Sequence, residues 1–282
     1  MARILIVHGI GYQFSGEHQV HQAYASALLD GLGLAGTSLE SSEIAAGSYG
    51  DLFRKSGTMA AGLPPLTASD VDNTDERELL RLFWEEAAKT DDAVMPPQAE
   101  TRARTPQIVQ RALDALSQSS FFAGVAERAL IFDVKQVARY FSDDGLRSAA
   151  NARIAARVTA DTRVLVAHSL GSVVAYETLC ANPQWPVTTF VTIGSPLGIA
   201  NLIFHKLRPA PENGRGRWPA SLRRWTNIAD KGDVVALRKE LAPVFDDRVH
   251  DVLVYNGSHA HDATRYLTAR ETGMAIAEGL GD

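Results

Sequence analysis

Cysteine is almost absent from the sequence. Cys180 is the only cysteine among 282 residues, which excludes an intrachain disulfide and a multi-cysteine metal site. A single thiol is typical of a protein kept in a reducing compartment, and its simplest role is that of a buried side chain on a helix. We therefore expect a cytoplasmic location.

Long apolar runs are also missing. Charged or polar residues interrupt each apolar stretch before it reaches the length that spans a bilayer. The N-terminal stretch 3–7 runs directly into His8 and Gly9, with no extended apolar region and no small-residue cleavage site. We expect neither an integral membrane segment nor a signal peptide.

The sequence has no excess of positive charge. Its formal net charge is -5 and its isoelectric point is ≈ 5.9, so it has no general attraction to nucleic acid or to anionic membranes. Hydrophobic residues make up 45% and charged residues 22%, as in an ordinary soluble globular enzyme. This length fits one catalytic domain, residues 1–282, that carries an insertion. No pattern specifies an oligomeric state.

Short strands and amphipathic helices alternate along the chain. Strands rich in Val, Ile and Thr are predicted at residues 3–7, 39–45, 163–167, 188–193, 224–228 and 248–255. Helices are predicted at residues 19–31, 74–90, 106–117, 125–141, 145–158, 171–181 and 261–278. Nearly continuous apolar strands alternating with helices predict an α/β fold, with a mostly parallel central sheet flanked by helices on both faces.

The connection between the second and third predicted strands is unusually long. It covers residues 49–159 and is far longer than an ordinary crossover, which predicts a helical insertion or cap region. Phe121, Phe122 and the amphipathic helices beyond them form a candidate lid that would gate access to a site. The acid-rich stretch 70–92 is interpreted as a solvated face.

Ser169 lies on the turn that carries most of the functional information. The segment 166–171, Val-Ala-His-Ser-Leu-Gly, joins a buried strand to the start of a helix, which is the setting of a nucleophile elbow. Small residues must flank such a serine, and Ala167 stands where the G-x-S-x-G signature has its first glycine. The helix directs backbone N–H groups at the serine, where negative charge develops during acyl transfer.

A second turn, His8-Gly9-Ile10-Gly11, also follows a buried strand. Its glycines allow a backbone N–H to face a cavity without a side chain in the way. The N–H groups of Ile10 and Leu170 would together form a two-donor oxyanion hole. Taken alone, this segment is also compatible with a plain tight turn.

Segments 7–11 and 167–171 together resemble the α/β-hydrolase superfamily, particularly its bacterial lipases and esterases in which alanine begins the elbow. The resemblance covers the N-terminal strand and the chain from about residue 163 onward, and it leaves out residues 49–159. It implies a Ser-His-Asp triad in the chain order serine, acid, histidine.

Two aspartates follow the fifth predicted strand. Asp233 is preferred as the acid because it precedes Val234 and Val235 in a loop, which resembles the Asp-x-Val element of lipase acid loops. Asp230 remains the alternative, with a second possible role in bracing that loop through side-chain hydrogen bonds.

Two histidines follow the last predicted strand, where the superfamily has its base. His261 is preferred because its spacing from Tyr266 resembles that of related hydrolases and because it lies at a helix start, while His259 remains the alternative. The same histidines with Asp262 also suggest a zinc hydrolase, but a binuclear site needs further histidines at set spacing. We expect no metal and no other cofactor. His8 and His168 are interpreted as supporting or packing residues.

Two later segments bear on the substrate. Residues 194–198, Gly-Ser-Pro-Leu-Gly, resemble a loop that lines lipase pockets, so the apolar residues after them would either contact an acyl chain or pack a short core helix. Residues 208–224 are basic. They form either a solvated loop or a surface that attracts an anionic headgroup or carrier.

These patterns predict an enzyme. We expect a serine hydrolase that cleaves carboxylic esters or thioesters of a small-molecule or lipid-like acyl substrate through an acyl-enzyme on Ser169. Acyl transfer or cyclisation with the same triad is an alternative chemistry, and a catalytically silent hydrolase-like binding module is an alternative class.

Overall fold

The computed structural model describes residues 2–54, 66–97, 105–119 and 127–281. Six strands form one sheet in the order β2-β1-β3-β4-β5-β6, and every neighbouring pair is parallel. The strands are β1 (Ile4–Val7), β2 (Ile44–Gly47), β3 (Val164–His168), β4 (Thr189–Ile193), β5 (Arg224–Asp230) and β6 (Val249–Val254). The expected α/β class with a parallel central sheet is therefore confirmed, and among the described strands none is antiparallel.

Eight α-helices flank the sheet within the described ranges. They are α1 (Glu17–Leu34), α2 (Thr74–Thr90), α3 (Thr105–Ser117), α4 (Glu127–Ser142), α5 (Asp144–Ala155), α6 (Leu170–Ala181), α7 (Ala263–Thr268) and α8 (Arg270–Leu280). None of these helices combines the length and the apolarity that crossing a membrane requires. The candidate lid residues Phe121 and Phe122 lie outside the described residues.

Alternation along the strands divides the core between the two faces of the sheet. Ile4 and Ile6 of β1 pack with α1, α7 and α8, whereas Leu5 and Val7 face the cluster that contains α2 to α6. Both sets are fully or almost fully buried, as expected for strands of a parallel sheet covered on both sides.

Two predicted elements differ from the observed ones. The second strand begins at Ile44 rather than near residue 39, because Ser41–Glu43 form a short 3-10 turn closed by the hydrogen bond from Glu40 N–H to the Glu43 carboxylate. The helix predicted at 261–278 is two helices separated at Ala269, whose backbone is extended. The carbonyl of Tyr266 there accepts the Thr272 hydroxyl at 2.6 Å instead of continuing the helical ladder.

The described part of the predicted insertion packs on one face of the sheet. Leu79 of α2 and Ile131 of α4 belong to the same buried apolar cluster as Leu5 and Leu165 of the sheet. One face of the central sheet is therefore covered largely by chain that lies between β2 and β3.

A buried ion pair fastens the insertion to the helix that follows Ser169. Glu177 of α6 accepts hydrogen bonds from Arg147 Nε of α5 at 2.9 Å and from the Tyr140 hydroxyl of α4 at 2.8 Å. Both charged side chains are almost fully buried, and Arg208 N–H adds a further donor at 3.0 Å. Because a buried charge without its partner is costly, this pair favours the observed packing of α4 and α5 against α6.

Candidate active site

The candidate residues lie at one edge of the sheet. Ser169 follows β3, Asp233 follows β5 and His261 follows β6. Parallel strands have their carboxyl ends at the same edge, and this is where open α/β sheets bind ligands. The sheet therefore collects residues that are far apart in the chain.

Ser169 has a backbone conformation that side chains rarely adopt. Its φ is 51° and its ψ is -132°, between the end of β3 and the start of α6 at Leu170. Such a conformation costs about 1–3 kcal/mol and persists only where the surroundings hold it in place. Here Ser169 N–H donates to the carbonyl of Ile193 at 3.1 Å, and Ser172 N–H donates to the Ser169 carbonyl at 2.9 Å. These bonds hold the serine at the tip of the turn.

Two glycines make this turn possible. A Cβ on Gly171 would lie 2.3 Å from the His8 carbonyl oxygen, and a Cβ on Gly9 would lie 2.7 Å from the Cβ of Ser169. The loop after β1 and the turn after β3 are therefore in direct backbone contact. Ala167, which replaces the first glycine of the signature, is completely buried in the core.

Ser169, His261 and Asp233 form one chain of hydrogen bonds. Nε2 of His261 lies 3.0 Å from Ser169 Oγ, and its Nδ1 lies 2.8 Å from Asp233 Oδ2. An ionised Asp233 accepts a hydrogen bond from the Nδ1–H of His261, which leaves the lone pair of Nε2 for the hydroxyl proton of Ser169. Each ring nitrogen of His261 thus has a partner, which is the hydroxyl of Ser169 for Nε2 and the carboxylate of Asp233 for Nδ1.

Asp233 is held in its ionised form although it is fully buried. Burial opposes its ionisation, but the charge of His261 and hydrogen bonds from its surroundings outweigh burial and lower its pKa. Its Oδ1 accepts the N–H groups of Val235 at 2.9 Å and Ala236 at 3.1 Å. The residues after Asp233 therefore fix the carboxylate as well as the loop.

Asp230 and His259 have different surroundings. Asp230 accepts hydrogen bonds from Gly232 N–H at 2.7 Å and from Asn256 N–H, so its carboxylate braces the loops that follow β5 and β6. His259 borders the same cavity as Ser169, but the described contacts link neither of its ring nitrogens to the serine or to Asp233. The hydrogen-bonded chain thus contains Asp233 and His261, the two residues that the sequence favours over Asp230 and His259.

The two expected oxyanion donors border the same cavity. Ile10 and Leu170 both line it, and within the described residues neither backbone N–H donates to an acceptor in the protein. Leu170 is the first residue of α6, so its N–H lies at the positive end of the helix dipole. These N–H groups remain available to an oxygen next to Ser169.

His8 supports the loop that carries Ile10. Its Nδ1 lies 2.6 Å from the Gly9 carbonyl, and its Nε2 accepts Tyr49 N–H at 3.2 Å. Burial lowers the pKa of His8 to about 4, so the ring is neutral with its proton on Nδ1. The Tyr49 ring stacks on it at 4.6 Å, and the Tyr49 hydroxyl donates to the His8 carbonyl at 3.0 Å. His8 is therefore a positioning residue for the loop.

His168 supports the backbone of His261. Its Nε2 donates to the His261 carbonyl at 2.9 Å, and burial together with the charge of His261 lowers the pKa of His168 to about 3. The ring is therefore neutral and acts as a fixed hydrogen-bond donor. It links the end of β3 to the segment that carries His261.

No sequence pattern marks the role of Tyr266. Its phenolic hydroxyl lies in the core, donates to Asp233 Oδ2 at 2.8 Å and accepts Asp230 N–H at 2.7 Å. In the sequence, the position of Tyr266 only helps to choose His261, and its contact with Asp233 spans 33 positions. Such a contact is created by the packing of α7 under the sheet edge.

A mostly apolar cavity of ≈ 240 Å³ lies in front of Ser169. The insertion and the loop after β4 supply most of its apolar wall, with Leu79, Phe83, Leu130, Val137, Ile199 and Ile203. In the loop after β4, Ile199 and Ile203 border the cavity, while Leu197 and Phe204 are buried in the core. Contact with an acyl chain stays a prediction.

The basic stretch 208–224 does not border this cavity. Arg208, Arg215 and Arg217 form exposed ion pairs with Asp144, Asp247 and Glu212 at 2.6, 3.2 and 3.1 Å. These pairs agree with a solvated loop. Within the described ranges, no group of three or more His, Cys, Asp or Glu side chains is arranged to hold a metal ion.

Comparison with protein-family models, with curated proteins and with solved structures finds no match for this chain. The class defined here is that of a parallel α/β protein with a hydrogen-bonded Ser-His-Asp arrangement at the carboxyl edge of its sheet.

Proposed function

We propose that the protein is a serine hydrolase of the α/β-hydrolase type that cleaves carboxylic esters or thioesters. The observation that carries this proposal is the chain from Ser169 Oγ through His261 to Asp233, with distances of 3.0 and 2.8 Å. A serine hydroxyl is a weak nucleophile until a base removes its proton, and this arrangement meets that need.

In the first half-reaction His261 Nε2 accepts the Ser169 hydroxyl proton while Oγ attacks the substrate carbonyl carbon. The resulting oxyanion accepts hydrogen bonds from the N–H groups of Ile10 and Leu170. The intermediate then breaks its bond to the alcohol or thiol, which leaves with the proton from His261. The acyl group stays on Ser169 as an ester.

In the second half-reaction water replaces the departed alcohol or thiol. His261 removes a proton from that water, whose oxygen attacks the acyl carbon and re-forms the oxyanion. Collapse of this intermediate returns the proton to Ser169 Oγ and releases a carboxylic acid. Throughout, Asp233 remains ionised and holds the imidazole in the productive tautomer.

A fluorophosphonate probe tests the nucleophile. We expect the intact protein to be labelled and to hydrolyse p-nitrophenyl butyrate, and Ser169→Ala to lose both properties while keeping its melting temperature. Ser26→Ala, an exposed hydroxyl on α1, is the matched control and should behave as the unchanged protein. A wild-type protein without labelling and without turnover would instead be a silent binding module, and the proposal would be wrong.

Paired variants test the acid and the base. Asp233→Asn should lower kcat by roughly 10⁴-fold, because the imidazole is then held in the wrong tautomer. Asp230→Asn should lower stability more than it lowers kcat, since Asp230 braces loops through Gly232 and Asn256. The same comparison applies to His261→Gln and His259→Gln. Equal losses of kcat within either pair would contradict the assigned roles.

A further inference from the structure

One face of α4 presents a carboxyl group to the catalytic cavity. Leu130, Asp133 and Val137 follow each other at helical spacing, and all three border the cavity that contains Ser169 and His261. An apolar residue on each side would be ordinary for a cavity wall. The acidic residue between them is not explained by packing.

Among the described residues, hydrogen bonding does not account for the position of Asp133. Among the described residues it makes no hydrogen bond and no ion pair, although it is only partly exposed. Burial raises the pKa of Asp133 to about 7, against the opposing effect of the positive charge of His261. A carboxyl group in such surroundings gains free energy from any donor that enters the cavity.

Apart from the histidines, the ionisable side chains that line the described part of the cavity are acidic. Its described lining contains the carboxyl groups of Asp133 and Asp262 and no Lys or Arg side chain. Asp262 caps α7 by accepting Thr264 N–H at 2.7 Å and Arg265 N–H at 3.3 Å. Burial opposes its ionisation, but hydrogen bonds from the Thr264 hydroxyl and from these N–H groups outweigh burial and lower its pKa. The cavity therefore repels anionic groups and attracts cationic ones.

We propose that Asp133 binds a positively charged amino group on the substrate of Ser169. The substrate class is then an ester or thioester that joins a short apolar chain to an ammonium group, on either its acyl or its alcohol side. This inference rests on the proposed hydrolase function and names its substrate. The cavity of ≈ 240 Å³ holds about eight water volumes, which suits a chain of this modest size.

Two matched substrate pairs test the proposal. The acyl pair is p-nitrophenyl 6-aminohexanoate and p-nitrophenyl heptanoate, and the alcohol pair is choline hexanoate and 3,3-dimethylbutyl hexanoate. Within each pair the members have nearly the same shape and differ in charge. We expect the wild-type protein to prefer the cationic member of at least one pair by about 10- to 100-fold in kcat/KM, the range of a hydrogen bond or ion contact to a charged group.

The variants Asp133→Asn and Asp133→Leu should remove this preference by lowering kcat/KM for the cationic member, and fluorophosphonate labelling of Ser169 in each variant reports correct folding. Glu127→Gln on the same helix, which does not border the cavity, is the control and should keep the preference.

Three results would overturn the inference without touching the hydrolase proposal. These are Ser169-dependent turnover with no cationic preference in either pair, a preference that survives Asp133→Asn, or an equal fall for both members of a pair. The last result would mean that Asp133 acts on the catalytic imidazole and not on the substrate. Absence of turnover and of fluorophosphonate labelling would instead reject the hydrolase proposal itself.

Discussion

The phenolic hydroxyl of Tyr266 donates a hydrogen bond to Oδ2 of Asp233 over 2.8 Å. The same oxygen lies 2.8 Å from Nδ1 of His261, and the hydroxyl of Tyr266 accepts Asp230 N–H at 2.7 Å. One side chain of α7 thus joins the end of β5, the acid loop and the candidate base. This contact makes the carboxylate part of a network rather than a single pair.

Tyr266→Phe tests that network. The change removes one donor that lowers the pKa of Asp233 and leaves the buried N–H of Asp230 without an acceptor, so we expect a loss of about 1–3 kcal/mol in the free energy of unfolding. A group whose pKa is lower in the folded state stabilises the fold above its unfolded pKa and loses that contribution as pH falls. The variant should therefore unfold at a higher pH than the wild type during acid titration.

Urea titrations at several pH values measure this change in stability. In addition, kcat/KM of the variant should fall by roughly tenfold. An unchanged acid-unfolding midpoint in Tyr266→Phe would show that the phenol does not stabilise the Asp233 carboxylate.

Gly171→Ala tests the contact between the two turns. The added Cβ would lie 2.3 Å from the carbonyl oxygen of His8, so the loop that carries Ile10 must move. We expect a loss of about 1–3 kcal/mol in stability from overpacking. Because the loop that carries Ile10 lies next to Ser169, its displacement should lower kcat/KM by roughly 100-fold.

Gly33→Ala is the control, because this exposed glycine of α1 has open space around its Cβ position. It should keep full activity and gain about 0.5–1 kcal/mol of stability. Full activity in Gly171→Ala would contradict the close packing of the two turns.

Glu177→Ala tests the attachment of the insertion. The change leaves the guanidinium of Arg147 buried without its carboxylate, so we expect a loss of about 3–5 kcal/mol in the free energy of unfolding. The double variant Glu177→Leu with Arg147→Met should recover most of it, because no uncompensated charge remains. Asp247→Ala, which breaks only an exposed ion pair, should cost less than about 1 kcal/mol.

Asp133→Asn tests how much the carboxyl group in the cavity lowers the free energy of unfolding. The pKa of Asp133 is raised from 3.8 to about 7 in the folded protein. Above pH 3.8 the carboxyl group ionises more readily in the unfolded chain than in the folded protein, so it destabilises the fold there. This cost begins near pH 4, grows as pH rises to about 7 and stays constant above that value. The free-energy cost is about 1–3 kcal/mol, because the carboxyl group is partly exposed and solvent screens its charge.

The variant should therefore be more stable than the wild type at pH 8 and equally stable at pH 4, as measured by urea denaturation. His168, His259, His261 and Asp262 also border the cavity, but they are the same in both proteins and their contributions largely cancel. A stability difference that does not depend on pH would show that Asp133 is not strained by burial.

Local patterns were sufficient for the architecture. Apolar runs such as 163–167 predict buried parallel strands, and the observed β3, Val164–His168, agrees because every side chain of that strand is buried. The boundary errors arose where side chains competed with the backbone. The carboxylate of Glu43 caps a turn where a strand was expected, and the hydroxyl of Thr272 helps to split the final helix.

The sequence by itself determined the fold class and the turn around Ser169, because strand periodicity and the need for small residues at a sharp turn are local properties. Only the tertiary structure decided which aspartate faces His261, that Tyr266 touches the same carboxylate oxygen, and that Asp133 of the insertion faces the cavity. Each of these depends on distances between residues far apart in the chain. Such distances are set by how helices pack on a parallel sheet, and no local pattern encodes them.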